Sequence, residues 1–294
     1  MPLVIDSPKN KSSQVLRVLI IEGVINTLMA LIKLFVGILT NSTAIIADAL
    51  HSLTDVANNV IAWLAMRVAA QPADENHPYG HTKFEQLAVF GLASLLAIVG
   101  FEVLINAFEH FGNPVEQSYL GLVILLVSLG CNIGLTLWEG RWAKRLNSSL
   151  LEADASHTFS DVLTTIAVII GWQLSTLGYY WIDAVLAAIV AIIIFILAFR
   201  LFQKAIPILV DETHIDAKAV ASEVNRNIEE VFEVSRVRSR HTGKGIYADI
   251  TLLVDASMST AKAHEVADRV EQLLADEFAV KDVVVHIEPR QLTD

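Results

Sequence analysis

Only one cysteine, Cys131, occurs among the 294 residues. An intrachain disulfide is therefore excluded, and the residue, set inside an apolar run, reads as a small core side chain. Neither HExxH nor GxSxG occurs anywhere in the chain, which removes the usual sequence grounds for a metalloprotease or a serine hydrolase. The polar opening MPLVIDSPKNKSSQ lacks a short apolar stretch followed by a small-residue cleavage site, so the first helix is expected to stay. From residue 208 onward, 10 Lys plus Arg stand against 17 Asp plus Glu. That balance offers nucleic acid no basic footprint, and nucleic acid is not expected as a partner.

What the chain has instead is apolar length. Hydrophobic residues make up 54% of it and gather into runs, a membrane composition. Six windows approach the ~20 residues that span a bilayer: 17–39, 44–68, 86–110, 119–140, 150–177 and 182–203. The pattern stops after Pro207. Lys9, Lys11 and Arg17 precede the first window, Arg67 and Lys83 bracket the second loop, Arg141, Lys144 and Arg145 lie in the fourth, and Arg200 and Lys204 close the sixth. The other three loops have neither Lys nor Arg, so the positive-inside rule puts both termini in the cytoplasm. A net charge of −11 does not oppose this, because the rule counts Lys and Arg near helix ends. Lys33, inside the first window, reads as a snorkelling residue or a partner of Glu22.

Residues 1–207 are thus expected to form a six-helix transmembrane domain, and 208–294 a cytoplasmic α+β domain of order αββαβ. In that tail two amphipathic helical stretches, IDAKAVASEVNRNIEEVF and STAKAHEVADRVEQLLADEF, alternate with strand-like EVSRVRSRH, IYADITLLVD and DVVVHIEP. A small sheet with two helices on one face suits such a length.

One polar sentence is written twice. ADALHSLTDV carries Asp48, His51 and Asp55; ADASHTFSDV carries Asp154, His157 and Asp161, at a constant offset of 106. Each half then holds three helices, and an odd number makes the second half an inverted copy of the first. His and Asp four residues apart share one helix face. If the second and fifth helices pack antiparallel, His51 meets Asp161 and Asp55 meets His157. At ~1.5 Å per residue all four lie roughly 10 to 18 Å deep in a ~30 Å core. Two ionised carboxylates there cost several kcal/mol each, so protons or a divalent cation must neutralise them. Nitrogen and oxygen donors in fourfold geometry suit zinc, and imidazole and desolvated carboxyl groups also take up protons near neutral pH. Metal and protons compete for one site. Asp48 and Asp154 are open between guiding ions and making local hydrogen bonds. In the loop QPADENHPYGHTKFE, Asp74, His77 and His81 supply further donors at short spacing, with Pro78 and Gly80 bending the chain.

HSLTD, HTFSD and QPADENHPYGHTKFE, with six windows and a cytoplasmic tail, resemble the cation diffusion facilitator family over nearly the whole chain. That resemblance implies a homodimeric multi-pass exporter, in a bacterial inner membrane, that moves Zn(II) or a related divalent ion out of the cytosol against inward proton flow. It implies a transport site at His51, Asp55, His157 and Asp161, with zinc preferred over cadmium, and a second zinc site at Asp74, His77 and His81. It aligns Lys83 with Asp211 as a charge pair tying membrane part to tail, and reads the tail as a metallochaperone-like regulatory and dimerisation domain with structural or regulatory zinc. There His264, His286 and Glu288 stand at matching places, while Ser235, before the first strand, and Thr251 replace histidines; His241 and Asp249 are read as compensating. No organic cofactor is implied, and His110 and His214 receive no role. The metal stays open, since Fe(II), Mn(II), Co(II) and Cd(II) use the same donors. A membrane metal sensor without flux is the competing class. An enzyme is disfavoured, because four converging ligands leave no open position for water.

Overall fold

Long apolar runs without internal breakers should give long helices, and they do. The computed structural model describes residues 8–40, 43–109, 119–175, 181–243 and 245–290. Six helices come first: α1 Pro8–Thr40, α2 Thr43–Ala69, α3 Lys83–Glu109, α4 Tyr119–Leu146, α5 Ser149–Ser175 and α6 Trp181–Leu209. Among the described residues, α1, α3, α4 and α6 are each long and apolar enough to cross a membrane by length and composition. Helices α2 and α5 fall short of that measure because they carry the repeated polar sentence. The protein is an integral membrane protein with a helical bundle.

The chain divides into two compact units, Met1–Ala205 and Ile206–Asp294. In the first, α1 packs along α2 and α4 along α5, while α3 lies against both α2 and α5. Small side chains let these backbones approach: Ala49, Ala62, Ala93 and Ala191 are wholly buried. Large ones turn outward, with Phe35 65% and Leu39 69% exposed, the inside-out pattern a lipid solvent permits. Helix α6 reaches α3 through Phe101 on Phe195 and Phe90 on Phe202, ring centroids 4.9 and 5.1 Å apart. Gly100 sits at that crossing, where a Cβ would come within 3.2 Å of both Ile194 and Phe195. Helices α1, α4 and α6 each run 6 to 9 residues past the apolar windows, through polar turns that the window average hides. Pro207 lies inside the last turn of α6 instead of ending it.

The second unit has order α7 Ala217–Asn227, β1 Glu233–His241, β2 Ile246–Val254, α8 Thr260–Phe278 and β3 Val280–Pro289. The αββαβ expectation holds. The sheet order is β1-β2-β3, with β1 antiparallel and β3 parallel to β2. A parallel neighbour requires a crossover, and α8 supplies it. Asp216 caps α7 by accepting from the Lys218 N–H at 2.9 Å, and Ser259 caps α8. Val220, Val224, Val266, Val270 and Leu274 from the two helices share one core with Ile250 and Leu252 of β2. Ser235 lies within β1, not before it, at the bulge between Val234 and Arg236.

Candidate metal centre

Asp55 projects from α2 and His157 and Asp161 from α5, whose polar residues four apart share a face. Their ligating atoms lie within 4.8 Å of one another, and His157 Nε2 is 3.2 Å from Asp55 Oδ1. The inversion argument anticipated that contact. It also paired His51 with Asp161. Both line one cavity of about 280 Å³ with Asp55, Lys33, Asp48 and Asn26, but His51 is exposed in it and stands outside the 4.8 Å group. The cavity occupies the half of the bundle that holds the start of α2, the end of α3 and the start of α4, so α2 and α5 part on His51's side and close at His157.

Lys33 departs from the expectation of snorkelling or pairing with Glu22. Lys33 pairs with Asp48 at 2.9 Å and donates to Ser52 Oγ at 2.9 Å. It does not reach Glu22, which is 11 residues away on the same helix, about 16 Å along the axis. Asp48 is thereby held in a local ion pair at the cavity wall. Asp154 accepts from Asn59 Nδ2 at 3.2 Å, and Asn59 Oδ1 accepts from Asn26 Nδ2 at 2.8 Å. Asn59 and Asn26 were not singled out from the sequence, although His51, Asp55 and Asn59 recur every four residues as one stripe of α2.

The loop between α2 and α3 gathers its three donors. Asp74 Oδ1 accepts from the backbone N–H groups of Asn76 and His77 at 3.0 and 2.7 Å, an Asx turn that folds the chain back. His77 Nδ1 lies 3.1 Å from Asp74 Oδ1 and His81 Nε2 3.3 Å from Asp74 Oδ2. The two imidazole centroids are 4.2 Å apart. Gly80 takes the positive φ of 84° that turns His81 inward. His81 is buried, with Nδ1 3.0 Å from the Pro72 carbonyl; a proton held there leaves Nε2 free as an acceptor or ligand. The His77 N–H first, and its side chain second, hold the Asp74 carboxyl below the usual carboxylate range against slight burial.

The tail residues are not brought together within one chain. His286 Nε2 faces Glu288 at 3.3 Å on β3, and His264 on α8 lies 3.9 Å from Asp268. Asp249 pairs with Arg238 at 2.8 Å, while His241 stacks near His214, with centroids 5.0 Å apart. Among the described residues no tail cluster of three donors forms. Thr251 faces His286 across the parallel register, and Ser235 Oγ bonds the Thr251 carbonyl at 3.4 Å. Lys83 and Asp211 belong to different units, and His110 lies outside the described residues.

Carboxylates and imidazoles around a cavity halfway along apolar helices define a membrane carrier for a small cation. Comparison with known proteins gives the class its name. Residues 19–210 match the cation efflux transmembrane domain and 209–290 the cation efflux protein cytoplasmic domain. The chain belongs to the cation diffusion facilitator family, and it is a metal cation efflux transporter, not an enzyme. It is 32% identical to the uncharacterized transporter YdbO of Bacillus subtilis, over 89% of this chain and 91% of that one. It is 31% identical to the cation-efflux pump FieF of Shewanella oneidensis, over 89% of each. The manganese efflux system protein MneS of Bacillus subtilis matches at 28% over 89% of this chain and 91% of its own. Among solved structures, the copper form of the MamM C-terminal domain matches at 24% identity and a TM-score of 0.24, covering 26% of this chain and 85% of that domain.

Proposed function

We propose that the protein exports Zn(II) from the cytosol in exchange for protons, by alternating access at His51, Asp55, His157 and Asp161. The observation that carries this reading is the contact of His157 with Asp55 across two helices, with Asp161 beside it. One imidazole and two carboxylates make a nitrogen and oxygen donor set of net charge −2, which a divalent ion neutralises and which two protons neutralise equally well. Both termini are cytoplasmic by the distribution of Lys and Arg. The cavity then lies on the outer side of the site, and His157 on its closed, inner side. Rocking of α2 against α5 brings His51 onto the metal as the outer half shuts.

Asp74, His77 and His81 take zinc at the cytoplasmic rim. Tail metal, held by His264, His286 and Glu288 with His241 and Asp249, joins two copies as a homodimer. Manganese is the second reading, because a relative named for manganese efflux matches along most of both chains. Proteoliposomes with an imposed pH gradient and a panel of Zn(II), Mn(II), Fe(II), Co(II) and Cd(II) test both. Zinc flux matched by opposite proton flux is expected. Flux confined to manganese replaces the zinc reading, and metal binding without any flux replaces transport by sensing.

A further inference from the structure

Below the transport site, α1, α4 and α5 each bury a carboxylate: Glu22, Glu139 and Asp154 are 1%, 0% and 1% exposed. Their ligating oxygens lie within 4.8 Å of one another. All four side-chain oxygens of Glu22 and Glu139 are buried with no hydrogen-bond donor among the described residues. Nor does a Lys or Arg among them reach the group, since Lys33 goes to Asp48 and Lys204 to Glu152. Three mutually close negative groups in a low-dielectric interior repel one another and lack solvation, so positive charge must be bound between them.

The asparagine pair indicates which kind. Because Asn26 donates to Asn59 Oδ1, the Asn59 amide turns its NH₂ toward Asp154 Oδ2, and a donor aimed at a buried carboxylate suits its ionised form. Metal–oxygen bonds of about 2.0 to 2.6 Å let two ligands of one ion stand up to about 5.2 Å apart, and the three oxygens lie within 4.8 Å of one another. Donors from three helices, all oxygen and none nitrogen, suit a hard divalent cation.

We propose that Glu22, Glu139 and Asp154 form a second, all-oxygen divalent cation site on the inner side of the transport site. With one carboxyl protonated and two ionised, a doubly charged ion brings the cluster to neutrality. Asp154 precedes His157 by three residues, ~4.5 Å along α5, and Asn26 reaches the cavity on the other side. The inner site therefore lies next on the path to the cytoplasm. Its place on a transport path rests on the export reading, whereas its capacity to bind does not.

Manganese is the probe, counted by equilibrium dialysis on the full chain in nanodiscs and observed by electron paramagnetic resonance with nitrogen hyperfine detection. The variant Glu22→Gln/Glu139→Gln is expected to lose one bound Mn(II) per chain, an ion without histidine nitrogen coupling. Asp55→Asn/Asp161→Asn should lose a different, nitrogen-coupled ion and keep the nitrogen-free signal, which tests the site without touching it. An unchanged count in the glutamine variant, or no nitrogen-free Mn(II) in the aspartate variant, overturns the proposal. Disappearance of a protonated-carboxyl infrared band with an unchanged count overturns it in favour of bound protons. If only the aspartate variant binds as wild type, the transport-site reading fails while the inner site stands.

Discussion

Truncating the two histidines of the proposed transport site should weaken metal binding unequally in the conformation described. His157 is buried and its Nε2 lies 3.2 Å from Asp55, so His157→Ala removes a ligand already in place beside its neighbours. Residues that merely orient metal ligands cost about 10- to 100-fold in metal affinity when removed. Loss of the His157 ligand itself should therefore weaken zinc binding by at least roughly 10- to 100-fold. His51 faces the open cavity outside the group of three, so His51→Ala should lose less than about tenfold when the outward side is open. Both should nevertheless cut flux, because the proposed closed site uses four ligands. Calorimetric zinc titration in nanodiscs, in a background with Asp74→Ala to silence the loop, measures the two affinities, and proteoliposome flux measures transport. An equal or greater affinity loss for His51→Ala would refute the geometry. Undiminished flux in His51→Ala would remove that histidine from the mechanism.

Metal held by Asp74, His77 and His81 should dissociate on acidification, because protons compete with the metal for its ligands; zinc binding unchanged across an acid titration would contradict this. The Asp74 carboxyl titrates below the usual carboxylate range, so it stays ionised under mild acidification. The depressed Asp74 value stabilises the loop above ~3.9, and that contribution disappears as pH falls through the folded value. Replacing Gly100 by Leu should overpack the α3–α6 crossing, where a Cβ already lies 3.2 Å from Ile194, at a cost of about 1 to 3 kcal/mol. Gly91→Leu, where a Cβ meets nothing within 4 Å, should leave the unfolding midpoint unchanged, and equal losses in both would refute the crossing. His241 titrates below the usual imidazole value, first from partial burial and then from His214. The native tail then binds fewer protons than the unfolded chain near pH 6, so this group costs stability as pH falls through ~6.5 and contributes nothing well above it. His214→Gln should move the His241 midpoint upward in a nuclear magnetic resonance titration.

The Asp55–His157 contact was legible in the sequence because an inverted repeat with spacing four has one consistent antiparallel pairing. The position of His51 was not, because spacing fixes a helix face but not how far two helices are splayed at one end. Lys33 was assigned two possible behaviours and took a third, since its partner Asp48 belongs to the next helix and sits beside it only in the folded hairpin. Glu22 and Glu139 stood in plain view as acids inside apolar windows. Their meeting with Asp154 depends on helices that sequence separation does not relate. In the tail, alternation gave the element order and set Ser235 inside the strand EVSRVRSRH, but the bulge at that residue left no periodic mark.

The connections between neighbouring helices have a mechanical consequence. Helix α1 ends at Thr40 and α2 begins at Thr43, and α4 ends at Leu146 with α5 starting at Ser149. Tethers this short leave no slack, so neither α2 nor α5 can tilt without dragging the helix joined to it. Under the proposed exchange, opening one mouth would swing two hairpins as levers, and the carboxylates on α1 and α4 would travel with them. The ion's gate and its handle would be one piece.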